Sequence, residues 1–164
     1  MHWQKKKTMP EKQSDTIKII RTDFTHPDFK ALVPFLDREL RDNDGNEADY
    51  YANFNKIDNI PHVTVVYSND KPVACGALKP YKENIAEVKR MFVLKEHRGK
   101  GFSSLVLHEL ENWARELGYT SAILETGKTQ TAAIHLYCKN KYNVIPNYDQ
   151  YVGVLNSVCM FKDL

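Results

Sequence analysis

Several features that would mark a specialised scaffold are scarce in this chain. It has only three cysteines among 164 residues, Cys75, Cys138 and Cys159. They are odd in number, form no C-x-x-C pair and have no histidine at metal-ligand spacing. That argues against a disulfide framework or a zinc site, and it fits free thiols in a reducing cytoplasm. Cys75 and Cys159 lie in apolar runs and read as small hydrophobes. No apolar run approaches the ~18 residues of a spanning helix. The basic start MHWQKKKTMPEKQSD has no apolar stretch after it, so it does not read as a secretory signal. An excess of one charge is missing too. The net charge is +2, and residues 1–14, with four lysines and one glutamate, contribute +3 of it. The remaining 150 residues therefore carry −1. Such a body is a poor nucleic-acid binder, since that function relies on many phosphate contacts. The lysine run reads as a flexible basic tail over 1–14.

The rest of the composition is that of an ordinary folded protein, with 42% hydrophobic and 27% charged residues. The length suits one domain, expected over 15–164, large enough to bury a sizeable core. Periodicity sets the elements. TIKIIRT (16–22) alternates as a strand. Phe29, Leu32, Val33, Leu36 and Leu40 have helical spacing over 28–41, with Pro34 as a candidate break. NDGN reads as a turn, and 47–55 as a short second helix. Residues 62–70 and 71–81 read as a hairpin, and IAEVKRMFVL (85–94) as a further strand. The period then switches. From Gly101 to Leu117 the apolar residues trace one helical face, closed by Gly118. SAILET (121–126) is a strand, 129–140 a helix, and two β runs follow around NVIP and VLNSVCMF. The expectation is one α/β domain, antiparallel in front and β-α-β-α-β behind.

The segment richest in chemistry is EVKRMFVLKEHRGKGFSS, residues 87–104. It runs strand, basic loop, helix. Gly99 and Gly101 permit positive φ, and loop amides followed by a helix N-terminus attract anions. Lys95, His97, Arg98 and Lys100 surround them with positive charge. A pyrophosphate is the ligand that asks for this. The loop is not a Walker P-loop, which needs G-x-x-x-x-G-K-S/T, nor a dinucleotide fingerprint, because Ser104 stands where the third glycine belongs.

At these residues the sequence resembles the GNAT acetyltransferase superfamily, whose acetyl-CoA loop reads R/Q-x-x-G-x-G/A. Arg98-Gly99-Lys100-Gly101-Phe102-Ser103 fits except at the last position, where serine replaces glycine or alanine. The likeness extends over at least residues 73–145 in element order and spacing. It implies the GNAT fold, a mixed central sheet of about six to seven strands flanked by helices. It also implies a pantetheine arm held by the backbone of Met91, Phe92 and Val93, where the fourth strand splays from the fifth. The pyrophosphate would lie on the amides of Arg98 to Ser103, and Gln130 would contact the cofactor where many relatives have an asparagine.

Tyr137, in AAIHLY, matches the family tyrosine that protonates the leaving thiolate. A core tyrosine on an amphipathic helix is the structural alternative. Glu87 falls on the strand position of the general-base glutamate in the histone-acetylating branch, and Glu125 on the next strand competes for that role. A Glu87 paired with Lys89 or Arg90 is the alternative there. His108 and His135 are read as exposed helix residues. A covalent route through Cys138 is disfavoured, because helical neighbours point about 100° apart.

The implied activity is N-acetyl transfer from acetyl-CoA to a primary amine, small molecule rather than protein, by direct attack in a ternary complex without metal. The alternative is a non-catalytic acyl-CoA-binding sensor or interaction module. The acceptor site is expected from residues 28–55 and 146–158, with Tyr50, Tyr51, Tyr148 and Tyr151 as candidate walls. A cytoplasmic monomer or homodimer, with no nucleic-acid or membrane partner, completes the expectation.

Overall fold

The computed structural model describes residues 14–164, so the basic tail, Ser14 apart, lies outside the described residues. The chain runs β1 (Ile17–Thr22), α1 (Pro27–Asp44), α2 (Ala48–Ala52), β2 (His62–Ser68), β3 (Lys71–Lys82), β4 (Ile85–Val93), α3 (Phe102–Glu116), β5 (Ser121–Gly127), α4 (Thr131–Lys139), β6 (Asn143–Ile145) and β7 (Ser157–Asp163). The seven strands form one mixed sheet in the order β1-β2-β3-β4-β5-β7-β6. Strands β1 to β4 are an antiparallel meander, β5 joins β4 in parallel across α3, and β7 inserts antiparallel between β5 and β6. This is the mixed sheet with flanking helices that the sequence predicts.

The apolar run VACGAL in β3 is buried on both faces. Ala74 and Leu78 face α3, where Val106, Leu107, Leu110 and Ala114 are fully buried. Cys75 and Ala77 face α1, where Phe29, Leu32, Val33 and Leu36 pack. The period-2 alternation of a strand thus supplies two cores at once.

Two boundaries differ from the sequence reading. Pro34 does not divide α1, which runs unbroken from Pro27 to Asp44. The ring is exposed, and buried residues on either side of it hold the helix against the sheet. The second helix is only five residues long, because a 3-10 turn at Gly45–Glu47 takes its first residue and the chain leaves the helix after Ala52.

The feature that shapes the site is a parting of strands. β4 pairs with β5 only over Ile85, Ala86 and Glu87, and beyond that the two separate. On its other edge β4 carries a bulge, with Arg90 and Met91 together opposite Gly76 and Arg90 at φ +56°. A Cβ on Gly76 would lie 2.6 Å from both Met91 Sδ and Val106 Cγ1, so only glycine fits there. Bulges bend the strand that carries them, and this one lies just past the last β4–β5 pair. Among the described residues no helix is long and apolar enough to cross a membrane.

Candidate active site

Past Glu87, the edge of β4 that faces β5 has no strand partner. The Leu94 N–H donates to Val73 O at 2.9 Å. Successive residues alternate in direction, so the N–H and C=O of Val93 turn toward the gap. Arg98 Nε donates to that carbonyl at 3.0 Å. The guanidinium also reaches Glu39 on α1 and lies 5.7 Å from the Phe92 ring centroid. Arg98 therefore ties the loop to α1 and spends much of its charge there.

A cleft of about 270 Å³ runs from this loop along β4 to α4. Its lining brings together Met91, Phe92, Val93, Arg98, Gly99, Gly101, Phe102, Ser103, Gln130 and Tyr137. Lys100 is exposed and does not line it. Gly99 and Gly101 have φ of +75° and +85°, and no atom lies within 4 Å of where a Cβ would stand on either. The cradle is open. No side chain caps the start of α3, so its first amides keep their donors for an anion. These features fit a bound pyrophosphate. Phe102 meanwhile turns its ring into the core.

A second, inner chamber of about 80 Å³ opens on the α1 side of the gap. Leu36, Leu40, Met91, Gln130 and Tyr137 line both it and the cleft. Tyr137 is only 5% exposed, and its hydroxyl makes no hydrogen bond among the described residues. Burial, with a smaller contribution from Glu125, holds its phenol well above the ordinary value of about 10. The hydroxyl keeps its proton throughout the working range. Gln130 accepts from the Thr126 hydroxyl at 3.3 Å, which fixes its amide beside the tyrosine.

Both candidate carboxylates line the inner chamber. Glu87 is 8% exposed and fully engaged, accepting from Tyr148 Oη at 2.7 Å and pairing with Lys89 Nζ at 3.3 Å. Glu125 pairs with no cation among the described residues. Its carboxyl is pushed up to about 7, chiefly by burial, with Asp44 and Glu87 adding and the Ser157 hydroxyl and Lys89 opposing. A carboxylate titrating near 7 can both take and release a proton at physiological pH.

The tyrosines divide. Tyr51 and Tyr151 line the chamber, and Tyr51 Oη lies 2.8 Å from Ser157 Oγ. Tyr148 orients Glu87, and Tyr50 binds the Gln150 carbonyl at the surface. His108 is exposed, with its Nε2 2.7 Å from Asn140 Oδ1, and His135 is exposed on α4. The three thiols are free, two of them buried.

The sequence reading missed Asp44, which lines the inner chamber from the end of α1. An acidic residue in the last turn opposes the helix dipole, and that signal was available. Leu36 and Leu40 read as core by their spacing. Their role as walls follows only from the parting of the strands.

The chain matches the acetyltransferase (GNAT) family model over residues 22–142. An uncharacterised N-acetyltransferase of Bacillus subtilis, YjcF, is 30% identical over 66% of this chain and 74% of its own length. A Klebsiella pneumoniae crystal structure described as an acyl-CoA N-acyltransferase superposes with a TM-score of 0.73 at 29% identity, covering 92% of this chain and 97% of that one. A GNAT family acetyltransferase of Elizabethkingia anophelis, solved with acetyl-CoA bound, shares the fold at a TM-score of 0.64 and 17% identity, over 92% of this chain and 100% of that one. A match across most of the chain, on a fold with a parted β4–β5 pair beside a glycine loop, has one reading: the chain belongs to the GNAT acetyltransferase family and is an acetyl-CoA-dependent acyltransferase.

Proposed function

We propose that the chain acetylates a small primary amine by direct attack in a ternary complex, with acetyl-CoA in the cleft and the amine in the inner chamber. The observation that carries this reading is the place of Tyr137, a buried tyrosine that lines both and whose hydroxyl has no partner among the described residues. Acetyl-CoA brings an acyl group already activated as a thioester. The amides of Arg98 to Ser103 would hold its pyrophosphate, the backbone of Met91, Phe92 and Val93 its pantetheine arm, and Gln130 would steady it near the thioester.

Glu87 and Glu125 both stand where a base is needed, and their partners separate the roles. Glu87, held by Tyr148 and Lys89, supplies a fixed negative charge that favours an arriving ammonium. Glu125, lacking a cation, takes the proton that frees the amine lone pair. The amine nitrogen then forms the C–N bond as the C–S bond breaks. Its second proton ends on the sulfur. Full transfer from Tyr137 to a thiolate of conjugate pKa around 8.5 is uphill for so weak an acid, so the hydroxyl acts chiefly by hydrogen bonding the sulfur as charge develops. The three free thiols fit a cytoplasmic setting.

The test is thiol release on a broad panel of amines, with the Tyr137→Phe variant alongside. A charge-assisted hydrogen bond lost from the transition state should lower kcat roughly 10- to 100-fold, with acetyl-CoA affinity nearly unchanged. Acetyl-CoA binding without turnover on any amine would replace this reading with a binding module. Full kcat in Tyr137→Phe, with chemistry rate-limiting, would remove the tyrosine from the mechanism.

A further inference from the structure

An outer chamber of about 310 Å³ lies between α1 and the segment following it, and Leu40, Asp44 and Asn55 line both it and the inner chamber. Asp44 thus stands in the wall where the two chambers adjoin. The charge at this junction is uncompensated. The Asp44 carboxylate forms no ion pair or hydrogen bond among the described residues. It is the last residue of α1, where the helix carbonyls already carry partial negative charge. Partial burial raises its pKa above the usual carboxylate value, and Glu47 adds to the effect. Its charge in turn raises that of Glu125. The inner chamber's two cations are engaged by other carboxylates, Lys89 by Glu87 and Arg90 by Asp37. The outer chamber is also lined by Arg41, Lys56, Asp37 and Asp58. Neither Arg41 nor Lys56 comes within ion-pair distance of Asp44.

Two carboxylates that pair with no cation among the described residues, in one chamber with the unpartnered hydroxyl of Tyr137, describe a site suited to two positive charges. We propose that the acceptor is a diamine, with the nitrogen to be acetylated between Glu125 and Tyr137 and its second ammonium on Asp44 at the mouth of the outer chamber. The product is the mono-N-acetyl diamine. The acetylated end gives up its two protons, one to the released thiol and one through Glu125 to solvent, while the distal ammonium is unchanged. A ligand with a carboxylate at the far end would meet Asp44 and be repelled. A simple monoamine would leave the half-buried Asp44 without a counter-charge.

This inference rests on the acetyl-transfer reading, and one set of measurements separates the two. Thiol release is followed for α,ω-diamines of increasing chain length, for monoamines of equal length and for the matching ω-amino acids. Calorimetry follows the same amines on CoA-loaded protein. The expected result is a kcat/KM for the best diamine roughly 10- to 100-fold above its monoamine, the size of one charged hydrogen bond. The amino acid should be poorest of all. Asp44→Asn should bring the diamine-to-monoamine ratio near one while acetyl-CoA affinity holds. Equal use of monoamines and diamines, a preference for the amino acid, or an unchanged ratio in Asp44→Asn overturns the proposal and leaves acetyl transfer standing. Asp44-dependent binding of a diamine without turnover of any amine does the reverse. If no amine of any kind is either bound or turned over, both fall.

Discussion

Glu87 and Glu125 are the same side chain on neighbouring strands of one chamber, and only their neighbours distinguish them. Tyr148 and Lys89 occupy the oxygens of Glu87, whereas Glu125 is largely desolvated and pairs with no cation among the described residues. The sign of the resulting pH effect follows. A carboxyl whose value rises from 4.5 in the unfolded chain to about 7 in the fold binds its proton more tightly when folded. Relative to a neutral side chain it therefore costs nothing below about pH 4.5 and destabilises increasingly as pH rises through 7, by up to about 3 kcal/mol. Glu125→Gln should accordingly raise Tm at pH 8 by roughly 5 °C or more and leave it unchanged at pH 4. The same substitution should cost ~10²-fold or more in kcat/KM and erase the acidic limb near pH 7, leaving only the amine's own titration. A variant that is inactive but no more stable at pH 8 would show that Glu125 is not held at a raised value. One that is stabilised but fully active would show that it is not the base.

At the scale of elements, the loop between β4 and α3 makes the cleanest case. Gly101 and Gly118 flank α3, with φ of +85° and +91°, and neither would bring a Cβ within 4 Å of any atom. Valine at either position therefore meets the same left-handed strain and no clash, costing ~1–2 kcal/mol or more. Only Gly101 faces the cleft. Gly101→Val should weaken acetyl-CoA binding at least about 10-fold by calorimetry, and Gly118→Val should lower Tm similarly without touching affinity. Equal affinities in the two variants would take the pyrophosphate off this loop. Such features were legible because local rules govern them: glycines between strand and helix, alternation in VACGAL, and a helical face from Phe102 onward. The parting of β4 from β5 was not legible from residue pattern and entered only through family resemblance. It accompanies a bulge at Arg90, a residue type unremarkable in a strand, and Gly76, whose need for glycine comes from Met91 and from Val106 thirty positions away. The division between Glu87 and Glu125 was hidden for a similar reason. Lys89 is near in sequence and was foreseen as a partner, but Tyr148 lies sixty-one residues off.

At the scale of the whole molecule, α1 is the wall common to the cleft and the inner chamber, and two ion pairs attach it to the active edge of the sheet. Asp37 meets Arg90 of the bulge at 2.6 Å, and Glu39 meets Arg98 of the loop at 2.5 Å. Geometry alone would rank them equal. Solvent does not. Both members of the Glu39–Arg98 pair are 42% exposed, so water replaces the lost partner and Glu39→Ala should cost no more than about 1 kcal/mol. The Arg90 side chain is 1% exposed, and its Nε and Nη1 are already without partners, whereas Asp37 is 50% exposed. Removing Asp37 strands a buried guanidinium. The penalty for breaking a buried pair runs to ~3–5 kcal/mol, and the half-exposed carboxylate brings it down to about 2, a fall in Tm of roughly 4–8 °C. The double variant Asp37→Ala/Arg90→Met, which removes the stranded charge and keeps the bulk, should recover most of that loss. Chemical denaturation of the three variants decides the matter. If Asp37→Ala and Glu39→Ala lose equal stability, or the double variant is worse than Asp37→Ala alone, the buried charge at the bulge is not what fastens α1 over the site.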